Sequence, residues 1–230
     1  MLSENKIRLS ALSLILAAAG AAADGGVSIQ GTRIIYGQGV RQERISVKNS
    51  SATDSFLVQS WVEDAEGKKT DDFIVTPPLF LSSPKNENLI RLMYVGGSLP
   101  KDKEKLYYFI SKEIPSINDN NYHDKSTLLI STASKIKLFV RPSGLNVDVE
   151  KARTMLIFSQ AERKMDIYNP SPYFITLTDI NYGERKIKDV MVAPLSHTYE
   201  ELPAIKSQVV SFRTINDYGA VTTKETMQIK

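Results

Sequence analysis

Two basic side chains stand in segments that otherwise have the apolar pattern of β-strands. Arg33 interrupts the segment 32–36, and Lys137 lies inside the segment 136–139. A guanidinium and an ammonium group held together could bind an anion, because charge-assisted hydrogen bonds are shorter and stronger than neutral ones. Charged residues are also a common device that keeps edge strands from aggregating. The spacing leaves both interpretations open: a shared anion site, or two protective edge charges.

Groups that could carry out catalysis are scarce. The chain has two histidines, His123 and His197, and no cysteine. His123 lies in a polar stretch and His197 lies near Pro194 in a predicted turn, so a solvated surface position is the favoured interpretation of each. The sequence contains no HExxH zinc motif, no GxSxG nucleophile motif and no Walker or Rossmann glycine pattern. We therefore expect a protein that is not an enzyme and that needs no metal or other cofactor.

A second unusual feature is the length of one predicted strand, over residues 128–140. It follows the most polar stretch of the chain, 118–125. By the two-residue period of a strand, Leu128, Ile130 and Thr132 share one face. The pattern predicts a long strand with a mostly apolar side next to a polar loop.

The N-terminus has the three-part layout of a secretory signal peptide. Lys6 and Arg8 precede an apolar run over residues 9–19 and a cluster of alanines. The run is too short for a membrane-spanning helix, which needs about 20 apolar residues. We expect residues 1–23 to be removed on export and the mature, soluble chain to begin at Asp24.

The overall composition is that of an ordinary globular protein, with 42% hydrophobic and 24% charged residues. A net charge of +3 is too small to indicate nucleic acid or a membrane surface as a partner. Because an exported protein without cysteine cannot form disulfides, core packing and backbone pairing must stabilise the fold.

The mature chain is predicted to be β-strand almost throughout, since short runs rich in Val, Ile, Phe, Tyr and Thr alternate with turn residues. The strands expected before residue 142 are 32–36, 44–48, 56–62, 73–75, 89–94, 106–110 and 128–140. Those expected after it are 155–159, 164–168, 174–180, 186–192, 197–202, 209–214 and 220–228. This pattern predicts an all-β fold of two immunoglobulin-like β-sandwich domains, 24–142 and 143–230, with Trp61 in the first core.

Several segments match one family of proteins in the same order along the chain. They are 31–36 (GTRIIY), 59–63 (QSWVE), 73–80 (FIVTPPLF), Leu99-Pro100 with Asp102 and Glu104, Ile114-Pro115, 135–139 (KIKLF) with Arg141-Pro142, and 214–219 (TINDYG). On these residues the sequence resembles the periplasmic chaperones of the chaperone-usher pilus pathway, the PapD-like family, over nearly the whole mature chain. Within that family it looks closest to the type 1 pilus chaperone.

The resemblance implies a function and a binding site. In this family two domains form a boomerang whose cleft holds the C-terminus of a pilus subunit, and Arg33 and Lys137 match its carboxylate anchors. Leu128, Ile130 and Thr132 match the strand that the chaperone donates to the subunit's open groove. An outer-membrane usher is then the second partner. Thr132 departs from the family pattern, because an apolar residue is usual there.

Further expectations follow from the same resemblance. Glu104, Arg141 and Asp217 match a salt-bridge set that fixes the angle between the domains. An apolar edge strand also allows the free protein to cap itself as a dimer. From the residues alone, two other classes stay open: a β-sandwich adhesin that binds sugar or a host surface, and a β-sandwich hydrolase.

Overall fold

The computed structural model describes residues 25–115, 130–204 and 207–230. These residues form two β-sandwiches that follow each other along the chain. The first is built from β1 (Val27–Ile29), β2 (Arg33–Gly37), β3 (Glu43–Asn49), β4 (Phe56–Glu63), β5 (Phe73–Thr76), β6 (Leu79–Ser82), β7 (Glu87–Tyr94), β8 (Lys105–Pro115) and β9 (Ala133–Arg141).

The second sandwich begins with a short helix, α1 (Val149–Ala152), and a 3-10 turn, Arg153–Met155. Its strands are β10 (Ile157–Ala161), β11 (Lys164–Asn169), β12 (Ile175–Tyr182), β13 (Arg185–Ile187), β14 (Val190–Val192), β15 (Ser196–Glu201), β16 (Val209–Thr214) and β17 (Glu225–Gln228). None of the helices in the described residues is long and apolar enough to cross a membrane.

Each sandwich consists of two sheets. In the first, the strand orders are β1-β3-β7-β5 and β2-β9-β8-β4-β6; in the second, they are β10-β11-β15 and β13-β12-β16-β17, with β14 also paired to β12. Among the described strand pairs, β2 and β9 run parallel and the others antiparallel. The parallel pair sets Arg33 directly opposite Lys137.

Alternation along the strands builds the two cores. In β4, Val58, Ser60 and Val62 point inward and are buried. Trp61 therefore lies on the outer face, half-buried, and its Nε1–H donates to the Glu63 carboxylate at 2.9 Å. The prediction that Trp61 belongs to the core is wrong, because the two-residue period turns it away.

The two domains share a buried polar corner at the end of a strand, which we call the Asn–Ser corner. In the first domain it is Asn49 with Ser51, and in the second Asn169 with Ser171, all four fully buried. In each case the asparagine Oδ1 accepts the serine N–H at 3.0 Å. The Nδ2 groups donate to backbone carbonyls, those of Asp54, Ser82 and Ser83 in the first domain and those of Tyr173, Val192 and Ala193 in the second.

The strand predicted over 128–140 begins later than expected. β9 starts at Ala133, while residues 130–132 precede it as irregular chain and Leu128 lies outside the described residues. The reason is local: the Ser131 and Thr132 hydroxyls donate to the backbone carbonyl and the carboxylate of Glu113. Side-chain bonds of this kind offer the chain an alternative to the strand ladder.

Other strand bounds also differ from the predictions. The segment predicted over 186–192 is divided into β13 and β14, because the intervening Asp189 carboxylate accepts bonds from Thr178 and Asp179 of β12. The segment predicted over 220–228 is a strand only in β17. Before it, the chain turns where the Thr222 hydroxyl accepts the N–H of Thr214. The short edge strands β1 and β6 were not predicted.

Candidate binding cleft between the two domains

Arg33 and Lys137 lie side by side where the first domain faces the second. The Arg33 Nη1 donates to the carbonyl of Ile215 at 2.9 Å, and the Lys137 Nζ lies 3.4 Å from the Thr176 hydroxyl. Both partners belong to the second sandwich. The parallel pairing of β2 with β9 thus places the two cations together and directs them into the cleft.

The surroundings of these cations favour an anion. Burial lowers the pKa of Arg33, while the charges of Asp217 and Glu104 act in the opposite direction. Burial also lowers the pKa of Lys137, and the positive charge of Arg33 adds to that effect. The Nε of Arg33 is buried and, within the described part of the chain, has no hydrogen-bond partner. A carboxylate placed here would meet two adjacent cations and an available donor.

A cavity of about 40 Å³ lies against the Arg33 side of the cleft. Phe139 of β9 and Phe174 of the second domain line it and stack on each other, with ring centroids 5.4 Å apart. The Arg33 guanidinium lies 5.8 Å from the Phe139 ring centroid. These aromatic rings give the Arg33 side of the cleft partly apolar walls, beside which hydrogen bonds to charged groups are stronger than in water.

Glu104, Arg141 and Asp217 come together at the same domain boundary. Arg141 Nε lies 2.7 Å from Glu104, and its two terminal nitrogens lie 2.6 and 2.8 Å from the Asp217 carboxylate oxygens. The Glu104 carboxylate also accepts the backbone N–H of Phe174 at 2.8 Å. The network therefore links the first domain to a side chain and a backbone group of the second.

Burial and charge oppose each other in this network. Burial raises the pKa of Glu104, whose side chain is 1% exposed, although Arg141 acts to lower it. Burial alone would lower the pKa of Arg141, but the hydrogen bonds and charges of Asp217 and Glu104 outweigh it and raise that pKa. Arg141 is thus held in its charged form between two carboxylates.

Of the predicted donor residues, Ile130 and Thr132 immediately precede β9, and Leu128 lies outside the described residues. Ile130 is 64% exposed, and Thr132 is exposed with its hydroxyl bonded to the Glu113 carboxylate. Sequence reasoning missed Glu113, since a glutamate near the end of a strand is an ordinary surface residue. His197 lies far along the chain in β15, where it contacts the Asp166 carboxylate at 2.9 Å and stacks on Tyr168.

Comparison with known proteins identifies the family. Residues 26–146 match the model of the PapD N-terminal domain, described as a pili and flagellar-assembly chaperone, and residues 151–226 match that of the PapD C-terminal domain of pili assembly chaperones. The chain belongs to the PapD family of pilus-assembly chaperones. The predicted family and the predicted fold of two immunoglobulin-like β-sandwiches are thereby confirmed.

Individual PapD-family members resemble the chain over most of its length. It is 41% identical over 217 residues to the probable fimbrial chaperone protein ElfD of Escherichia coli K12, covering 94% of this chain and 92% of the relative. The crystal structure of the periplasmic chaperone SfaE is 35% identical with a TM-score of 0.77, covering 89% and 100%. The SafB chaperone, solved in complex with the Salmonella enterica SafA pilin, is 26% identical with a TM-score of 0.81, covering 89% and 96%.

Proposed function

We propose that this protein is a periplasmic chaperone that captures pilus subunits and passes them to an outer-membrane usher. The cation pair Arg33 and Lys137 carries the proposal, because it presents adjacent donors in a cleft between the domains. In this proposal residues 1–23 direct export and the domain boundary follows Pro142. Subunit folding supplies the driving force, so neither a nucleotide nor a metal takes part.

The subunit's C-terminal carboxylate is the anion that this site would bind. An Arg fork can hold a carboxylate through two parallel hydrogen bonds, and Lys137 adds a third donor. Each such bond to a charged group contributes about 1.5 to 3 kcal/mol. Once the terminus is fixed at the cleft, the register of the preceding subunit strand along β9 is fixed as well.

The exposed residues before β9 supply the second part of the interface. Ile130 presents an apolar side chain at an unpaired edge, where Leu128 and Thr132 would follow the same alternation. Burying one Leu or Ile contributes roughly 1.5 to 3 kcal/mol. The same exposed edge supports the proposal that the free chaperone dimerises to cover it.

The anchor is tested with the substitution Arg33→Ala. We expect it to abolish subunit capture, because the bound carboxylate would be left in the cleft short of a partner. Ile130→Ala should only weaken capture, since it removes one apolar contact among several. The measurement is co-purification of a pilus subunit with the mature chaperone from the periplasm.

Arg44→Ala is the matched control, because Arg44 is an exposed arginine on β3 of the same domain. It should capture the subunit as well as wild type does. Equal capture by Arg33→Ala and wild type would contradict the carboxylate anchor. Accumulation of the subunit without any chaperone would contradict the proposed function itself.

A further inference from the structure

Glu113 lies near the end of β8 and forms hydrogen bonds with two other segments of the chain. Its backbone N–H donates to the Thr132 carbonyl at 2.9 Å, and its carbonyl accepts the Ser131 hydroxyl at 2.5 Å. One oxygen of its carboxylate accepts the Thr132 hydroxyl, and the other accepts the backbone N–H of Val27 at 2.5 Å. Glu113 therefore connects β1 with the residues that precede β9.

The fit around this carboxylate is tight on the β1 side. A Cβ atom added to Gly26 would lie 2.9 Å from Glu113 Oε2 and 3.2 Å from Oε1. The backbone of β1 thus approaches the carboxylate directly, and a side chain at position 26 would displace it. The carboxylate is held between Gly26 and Val27 on one side and Thr132 on the other.

Residues 130–132, which we call the donor segment, lie where the chain would enter a subunit's groove. Among the described residues, the hydrogen bonds of Ser131 and Thr132 go to Glu113. The regular ladder between β8 and β9 begins only at the pair Lys112 and Ala133. Glu113 is thus the contact that orders the donor segment beyond the end of the sheet.

We propose that Glu113 is a positioning residue for subunit capture, which fixes the donor segment beside β8 before a subunit arrives. The inference rests on the proposed function and adds a residue to it. Ordering the segment in advance lowers the entropy that binding must remove. It also accounts for Thr132 at a position where the family has an apolar residue: the hydroxyl bonds to Glu113 within the chaperone.

The effect of Glu113 on capture is measured by dilution. A pilus subunit with a free C-terminal carboxylate is diluted from urea into native chaperone. The complex is quantified by size-exclusion chromatography over a range of chaperone concentrations. We expect Glu113→Ala and Thr132→Val each to raise the half-saturating concentration about tenfold, equivalent to about 1.4 kcal/mol.

The double variant separates a shared contact from two independent ones. Glu113→Ala combined with Thr132→Val should also raise the half-saturating concentration about tenfold, because both single changes remove the same bond. Glu113→Gln should retain most of the affinity, since its amide can accept from Val27 and donate to Thr132. A hundredfold loss in the double variant, or tighter capture by Thr132→Val, would overturn the proposal.

Glu87→Ala is the matched control, because the Glu87 carboxylate accepts a hydroxyl bond from Ser46 across two strands of the other sheet. It should capture the subunit as wild type does. Failure of wild type to capture would count against the proposed function, and normal capture by Arg33→Ala would count against its carboxylate anchor. Normal Arg33-dependent capture by Glu113→Ala would count against the positioning role alone.

Hydrogen exchange in the free chaperone distinguishes positioning from general stability. In Glu113→Ala, the amide of Val27 and the backbone amide of residue 113, which donates to the Thr132 carbonyl, should exchange faster, while those of Ile90 and Leu92 in the core of β7 stay protected. Faster exchange throughout the domain would assign Glu113 to stability of the fold and overturn the positioning role.

Discussion

At the scale of single residues, Asp72 shows how a buried hydroxyl lowers the pKa of a carboxylate. The Tyr107 hydroxyl donates to it, and Lys105 Nζ lies 3.3 Å away. The bond from Tyr107 is the main reason that the pKa of Asp72 lies below its usual value; burial opposes it, and Lys105 reinforces it. Burial in turn raises the pKa of Tyr107, as does its bond to Asp72.

This shift predicts acid sensitivity. The lowered pKa of Asp72 contributes stability that is fully present above the unfolded-state pKa of about 4 and is lost as the pH falls through the lower folded-state value. Asp72→Asn should therefore flatten the decrease in the free energy of unfolding below about pH 4. Urea unfolding at a series of pH values measures this decrease in the free energy of unfolding.

The neighbouring Asp71 provides the control for Asp72, because it is exposed and carries the same charge. Asp71→Asn should change the free energy of unfolding less than Asp72→Asn does. An unchanged slope in Asp72→Asn would show that the Tyr107 bond does not stabilise the folded state.

Single residues differ in how far the sequence reveals them. Arg33 and Lys137 could be singled out because a charge inside an apolar strand is visible in the sequence itself. Their contacts with Ile215 and Thr176 could not be predicted from the sequence, since those contacts depend on how the second domain packs against the first. The network around Arg141 was predicted from the family resemblance and not from the spacing of its residues.

At the scale of elements, the Asn–Ser corner ends the same kind of strand in both domains. Each asparagine donates to backbone carbonyls from separate segments of its domain. A buried carbonyl without a partner costs about 1 to 3 kcal/mol. The corner therefore closes the end of each sandwich.

Removal of one corner should destabilise its own domain. Asn169→Ala is expected to lower the free energy of unfolding of the second domain by about 3 kcal/mol or more, because several buried carbonyls lose their donor together. Asn181→Ala, which removes a half-buried side chain bonded to the Asp179 carbonyl, should cost about 1 kcal/mol. Urea unfolding followed by circular dichroism compares the two, and equal costs would contradict a special role for the corner.

The element pattern was largely predictable because alternation and turn residues are local signals. Most strands lie where they were predicted, with ends shifted by one or two residues. β1 and β6 were missed because three- and four-residue edge strands contain too few positions to show alternation. The beginning of β9 was placed too early because the apolar alternation continues where Ser131 and Thr132 bond to Glu113 instead.

At the scale of the whole molecule, Arg141 is the centre of the contact between domains. Its guanidinium donates hydrogen bonds to Asp217 of the second domain, and the Glu104 carboxylate accepts the backbone N–H of Phe174. Breaking a buried ion pair by removing one partner is strongly destabilising, since the other charge stays buried. We therefore expect the orientation of the domains to depend in part on this cation.

Arg141→Ala should lower the free energy of unfolding by about 3 to 5 kcal/mol, because Glu104 would lose its cation in a buried site. It should also separate the unfolding of the two domains into two transitions in calorimetry. Arg213→Ala, which breaks a more exposed pair with Asp179 at 3.5 Å, should cost about 1 kcal/mol or less. One unshifted transition in Arg141→Ala would contradict the role of the network.

The Arg33 bond to Ile215 joins residues 182 positions apart in the chain. Contacts of such long sequence separation form late, because the closure of a large loop must precede them. While the chain is being synthesised from its N-terminus, β2 and β9 exist before the Ile215 carbonyl that Arg33 binds. We therefore expect a truncated chain to lack a complete cleft, so that competence to bind arises only when the last strands have folded.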